Sequence, residues 1–225
     1  MKNVWFFEFF CIFAPKWINM QENSEISQYK LGLRDKIVDV AMNLFTKHGI
    51  RLVRMDDVAH ELGISKRTIY ELYEKKEDLL YEVVVCHFKK CQAVMAEVLS
   101  RCNDVMEILL EVYHQKVTDF KNTNPLFFTE MIRYPQLQVF LNEQNQAMRQ
   151  HSLDFYQRGV EEGYFRADVN YHLAILLFDV MGQFIMEKEL YRTYSIEEIF
   201  KNIVFVSIRG MCTQRGVQAI DKILG

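Results

Sequence analysis

The stretch from Arg54 to Leu79, RMDDVAHELGISKRTIYELYEKKEDL, constrains the chain more than any other. Met55, Val58, Ala59 and Leu62 recur at the spacing of one helix face. Gly63 follows, where a left-handed residue ends a helix, and Ile64 is placed to plug the core at the turn. Ser65 is then a ready N-cap for a second short helix over 66–72, held from inside by Ile69 and by Leu72 or Tyr73. Ala59 is small enough for the two helices to cross closely. This pattern predicts a helix-turn-helix, whose second helix enters a major groove with its N-terminal residues at the base edges.

The rest of the chain agrees with a helical reading. Only 9 of 225 residues are glycine and 3 are proline, half are hydrophobic, and a quarter are charged. Strand-type alternation is hard to find, and long runs of 3.6-residue period dominate, so the fold is predicted to be all-α. Upstream, Leu33, Ile37, Ala41, Leu44 and Phe45 mark one face of a helix over 28–48 that Gly49 stops. Asp56 and Asp57 fall in the first turn of the next helix, where its dipole favours them. The expected organisation is an N-terminal extension over 1–27, a helix-turn-helix domain over 28–80 (motif 54–73), and a helical effector-binding and dimerisation domain over 81–225. A long helix 4 over 76–101 joins the last two, within about nine helices in all.

Charge gives little help. The net charge is −3, so a nucleic-acid footprint has to come from local placement rather than bulk charge. The five cysteines, Cys11, Cys86, Cys91, Cys102 and Cys212, form no C-x-x-C pair and are odd in number. They read as reduced thiols of a cytoplasmic protein. The apolar run over 4–13 is broken by Glu8, is too short to span a bilayer, and lacks the flanks of a secretory signal. Met20 opens a polar run into the first helix. It is read as the natural start, with residues 1–19 not native; the other reading is a hydrophobic arm that packs on the body.

F-x-x-x-G-I over 45–50, M-D-D-V-A-x-E-L-G-I-S-K-R-T-I-Y over 55–70 and K-x-D-L-L over 76–80 stand in order without a gap. Together they resemble the DNA-binding domain of the tetracycline-repressor (TetR) family of bacterial transcription regulators. The resemblance implies roles residue by residue. Lys66, Arg67 and Thr68 would lie at the N-terminal end of the recognition helix, behind Ser65. Tyr70 matches the tyrosine that reaches the phosphate backbone, Tyr73 takes an aromatic position of the family, and Lys76 matches the phosphate-binding lysine opening helix 4. Departures from the pattern bear on the operator sequence. Val53-Arg54 replaces the usual Ser/Thr before helix 2, leaving a weaker cap while Arg54 contacts phosphate instead. Arg67 stands where glycine is common, and an arginine can read guanine bidentately. Glu71 and Leu72 replace a common aromatic-His pair, so Glu71 faces away from phosphate or accepts from a cytosine.

In the body, Asn124-Pro125 starts helix 6, Tyr134-Pro135 ends it, Gly163 closes helix 7 over 136–161, and Asp168 is a plausible N-cap for helix 8 over 169–190. Ser195-Ile196-Glu197-Glu198 matches a capping box opening helix 9 over 196–213. Helices 8 and 9 are apolar nearly all round, so one face is expected in the protein's own core and the other against a second subunit. Phe178, Met181, Gly182, Ile185, Phe200, Ile203 and Val204 are the expected interface. Met95, Tyr113, Phe127, Phe128, Met131, Phe155 and Phe178 are the expected lining of a pocket for a small apolar or aromatic effector. No cofactor, metal site or catalytic motif is recognisable.

The function expected from these residues is a sequence-specific DNA-binding transcriptional regulator. It would be a cytoplasmic, nucleoid-associated homodimer on a pseudo-palindromic double-stranded operator, with no membrane partner. A repressor of this kind would be released when an effector tilts helix 4. The alternative is a constitutive DNA-binding dimer whose body binds a protein partner or nothing.

Overall fold

The computed structural model describes residues 28–224. Residues 1–27, and with them the readings made for Met20, Cys11 and the apolar run, lie outside the described residues. Helix dominates; among the described residues no strand forms, only an isolated bridge between Phe165 and Cys212.

The chain divides into two compact units. One holds residues 28–93 and 122–138, and the other residues 94–121 and 139–224. The boundary therefore lies at 93/94 inside a helix rather than at 80, and residues 122–138 join the N-terminal unit.

In the N-terminal unit, α1 (Gln28–His48) buries Ile37, Val38, Ala41 and Phe45. It stops at Gly49, which has φ +83° as the sequence led one to expect. α2 (Met55–Glu61) buries Met55, Val58 and Ala59, while α3 (Lys66–Leu72) buries Ile69. Between them Gly63 adopts φ +64°, and Ile64 N donates to Ala59 O at 3.0 Å to close the turn. α4 (Lys76–Arg101) supplies Leu79, Leu80, Val83, Val84 and Phe88 to this core.

α6 (Pro125–Met131) also belongs to this unit. Asn124 caps it by accepting from Leu126 N at 3.0 Å, with Pro125 at the first helical position. The same asparagine ties α6 to α1: its N donates to Thr46 O at 2.7 Å and its Nδ2 to Lys47 O at 3.3 Å. A Cβ on Gly49 would stand 3.1 Å from Leu126 Cβ, so this glycine serves both its backbone conformation and the approach of α6.

The C-terminal unit contains the rest of α4 and α5 (Val105–Asn122, as far as Lys121), α7 (Pro135–Glu161, from Val139) and α8 (Tyr171–Glu187). A 3₁₀ turn at Leu190–Arg192 follows. α9 (Ile196–Ile199), a π turn at Phe200–Val204 and α10 (Phe205–Met211) run on from one another where a single helix over 196–213 was expected. α11 (Gln214–Leu224) was not anticipated. Val105, Ile108, Phe165, Phe178, Phe205 and Ile220 form the centre of the core. Tyr156 and Tyr171 stack with centroids 4.7 Å apart.

Two caps expected from sequence resolve differently. Ser195 makes its capping box with Glu198, its Oγ accepting from Glu198 N at 3.2 Å and its N donating to Glu198 Oε2 at 2.8 Å. Asp168 does not cap α8. Its carboxylate accepts from Arg166 Nε at 2.9 Å and Nη2 at 2.6 Å, and Asn170 caps the helix through His172 N and Leu173 N. A bidentate arginine is the stronger competitor for a carboxylate. Cys86, Cys102 and Cys212 are free thiols, and burial pushes the Cys212 thiol up to about 12, which makes it inert. Among the described residues no helix is long and apolar enough to cross a membrane.

Candidate nucleic-acid interface

α3 is anchored on one side and open on the other. Ile69 is fully buried and Tyr73 nearly so, whereas Lys66, Arg67, Tyr70 and Glu71 are exposed. Ser65 fixes the N-terminus: its Oγ accepts from Thr68 N at 3.1 Å and lies 2.8 Å from Thr68 Oγ1. Of the two hydroxyls that the sequence placed near the DNA, that of Ser65 serves first to cap the helix and that of Thr68 pairs with it.

The exposed cations are each held by a carboxylate. Lys66 Nζ donates to Asp56 Oδ2 at 2.8 Å and stands 5.8 Å from the Tyr70 ring centroid. The hydrogen bond to Asp56 raises the lysine's pKa, so it stays charged. Arg67 Nε donates to Glu71 Oε1 at 2.8 Å, one helical turn on. Exposed pairs of this kind add little to stability, and their importance here is geometric.

The surroundings of Tyr73, Arg54 and Lys76 refine their sequence-based roles. Tyr73 is buried beneath the Arg34 guanidinium, 5.5 Å from its ring centroid, and so anchors α3 instead of facing DNA. Burial raises its phenol pKa. Arg54 is exposed, and as expected it gives α2 no side-chain cap. Arg54 N donates to Asp57 Oδ2 at 2.7 Å, which satisfies the N–H of the capping residue while the side-chain acceptor of a hydroxyl cap stays missing.

Lys76 is half-buried and folded back. Its ammonium donates to the carbonyls of Ile50 and Val53, and desolvation lowers its pKa. Two of its three N–H groups therefore clamp the loop between α1 and α2, and only the third is left for a phosphate. Lys76→Ala is expected to lower unfolding stability by about 1–2 kcal/mol, because two carbonyls lose a charged donor; a urea melt checks this.

Glu130 on α6 was not singled out from sequence. It is the one buried charged residue among those described, 8% exposed, and its Oε2 accepts from Arg51 N at 2.7 Å. The same loop is thus held from one side by Lys76 and from the other by Glu130. Glu130→Ala should cost about 2 kcal/mol and lower the melting temperature by roughly 4–8 °C. A scan within about 1 °C of the parent would mean that Arg51 N–H finds water at no loss.

The other expected sites separate. Met95, Phe155 and Phe178 lie in the C-terminal core with Tyr113 packed against it, while Phe127, Phe128 and Met131 belong to the N-terminal unit. Of the expected interface residues, Phe178, Gly182, Ile185, Phe200 and Val204 are buried in the protein's own core; Met181 and Ile203 are half-buried. The exposed side of α8 carries Leu173, Leu176, Leu177, Val180 and Phe184. The expected two-faced helix exists, with the named residues on its inner face. The run LAILLF held both faces, and only the 100° step per residue separates them.

Residues 37–83 match the family model described as bacterial regulatory proteins, tetR family. The HTH-type transcriptional repressor KstR2 of Rhodococcus jostii is 24% identical over 152 residues, covering 64% of this chain and 74% of that protein. Over residues 37–83 the chain is thus similar to the DNA-binding module of TetR-family regulators.

Two solved structures share the fold over most of the chain. A TetR-family regulator from Agrobacterium tumefaciens has a TM-score of 0.65 at 17% identity, covering 81% of this chain and 99% of that one. The ketosteroid transcriptional regulator KstR2 of Mycobacterium tuberculosis has a TM-score of 0.51 at 18% identity, covering 86% and 98%. These two structures show a shared fold; the helix-turn-helix match over residues 37–83 and the similarity to HTH-type repressors support a DNA-binding transcriptional regulator.

Proposed function

We propose that the protein is a homodimeric repressor that reads a pseudo-palindromic operator through α3 and is released by a small apolar effector. The observation that carries the DNA-reading role is the division of α3. Ile69 and Tyr73 lock it to the unit, while Lys66, Arg67 and Tyr70 stand exposed on it. Two copies would occupy half-sites about 34–36 Å apart or further. Arg54 and the third N–H of Lys76 contact phosphate.

The outer stripe of α8 supports the dimer. Leu173, Leu176, Leu177, Val180 and Phe184 fall within about 100° of one another on the helix, the width of a face made for burial. Val206 on α10 is a further exposed apolar side chain of the same unit. The aromatic and methionine-rich core around Met95, Tyr113, Phe155 and Phe178 supports an apolar effector. α4 is one continuous helix that contributes residues up to Ala93 to the N-terminal unit and from Val94 to the C-terminal unit, so an effector bound near Met95 acts on the helix that Lys76 opens. A coupling of about 1–3 kcal/mol switches DNA affinity 5- to 150-fold.

A gel-shift assay with the region upstream of the protein's own gene tests this. A retarded band at nanomolar protein that competitor DNA of scrambled sequence fails to remove is expected. Binding indistinguishable from scrambled DNA counts against the reading.

A further inference from the structure

We infer that Glu71 is a specificity-positioning residue: it holds the Arg67 guanidinium so that its two terminal nitrogens face a guanine. The inference rests on α3 reading DNA and concerns a residue expected from sequence to face away from phosphate or to accept from a cytosine.

The geometry is in the choice of nitrogen. Arg67 uses Nε, the inner nitrogen of the fork, to donate to Glu71 Oε1 at 2.8 Å. A guanidinium is planar, and its five N–H donors point in fixed directions. Holding Nε fixes the plane about the long arginine stem and leaves both Nη groups for another partner. Guanine offers O6 and N7 on its major-groove edge, and two parallel N–H donors are what those atoms accept. Had Glu71 taken the terminal nitrogens, the arginine would be spent.

Glu71 is also free to act in this way. The Arg67 side chain is 88% exposed and that of Glu71 59%, so the pair fills no core and supports no packing. An unheld arginine at such a site samples many rotamers, and ordering it on binding would cost affinity. Prior ordering by Glu71 removes part of that cost for the guanine-bound state. It also withholds charge from phosphates, since the carboxylate repels them. Glu71 therefore weakens sequence-independent binding while favouring one base.

The test is selection of a duplex library with a randomised central region by the full chain and by Glu71→Ala, Glu71→Gln and Arg67→Ala. The wild type is expected to enrich a guanine in each half-site, with Arg67→Ala losing that preference by roughly 5- to 150-fold. Glu71→Ala should lose at least about fivefold at the same position while binding scrambled DNA as tightly as the wild type or tighter. Glu71→Gln keeps an oxygen for Nε and should retain the preference; a purely electrostatic role would make it resemble alanine. An unchanged motif in Glu71→Ala, or a change at a position other than that of Arg67, overturns the inference and leaves DNA reading intact. No enrichment by the wild type removes the proposed function itself, and the inference with it.

Discussion

Val180→Asp should convert the protein to a monomer and abolish tight operator binding. Val180 is 62% exposed at the centre of the outer α8 stripe, with Leu176, Leu177 and Phe184 one turn either side. In a two-fold dimer each substitution appears twice at one isologous contact. Desolvating the two carboxylates is expected to weaken association by about 4 kcal/mol, roughly a thousandfold in Kd. Loss of the second recognition helix then removes the avidity of paired half-sites, on the order of 10²–10⁴. Sedimentation velocity at micromolar concentration reads the first effect and a gel shift the second. Sedimentation as an unaltered dimer would place the interface elsewhere. Phe178, two residues away, should behave differently: it is buried in the protein's own core, and its replacement by alanine acts on folding.

Gly216→Ala is expected to destabilise the C-terminal unit by about 3–4 kcal/mol. A Cβ at Gly216 would lie 2.2 Å from the Tyr164 carbonyl oxygen and 3.0 Å from Cys212 Cβ. That oxygen is backbone and is already held by Thr213 N at 2.9 Å, so it has no side-chain freedom with which to yield. Moving it also strains the neighbouring bonds of Thr213 Oγ1, which donates to Gly163 O at 2.8 Å. A melting temperature about 10 °C below the parent is the expected reading. Gly210→Ala provides the contrast. Its Cβ meets nothing within 4 Å, and an alanine inside α10 should be neutral or stabilise by roughly 0.5–1 kcal/mol. Equal melting temperatures for the parent and Gly216→Ala would mean that α11 is not seated against Tyr164 as described.

Gly49, Gly63 and Gly216 show how far the residues alone could be read. Gly49 and Gly63 were legible because each ends an amphipathic run, and a helix stop has a local signature. Gly216 has none: it lies inside α11, and its role depends on a carbonyl 52 positions earlier in the chain. α11 itself escaped notice for a related reason. It is short, follows Cys212 and Thr213 closely, and is seated by its packing on Tyr164.

The same division runs through the site. Local order determined α1 to α4, the turn at Gly63, the Ser65 cap and the exposed Lys66-Arg67 pair. Each follows from spacing within a few residues, where helical period and capping chemistry act directly. Partners distant in sequence were decided only by the tertiary structure. Lys76 turned inward because the carbonyls of Ile50 and Val53 are otherwise short of donors. Tyr73 went under Arg34, and Glu130 reached the loop from a helix 79 positions away. The two faces of α8 were both apolar in sequence, and burial alone told Phe178 from Val180. A single chain's periodicity says that a residue is apolar and on which stripe it lies; which stripe meets the core is settled when other helices cover one of them.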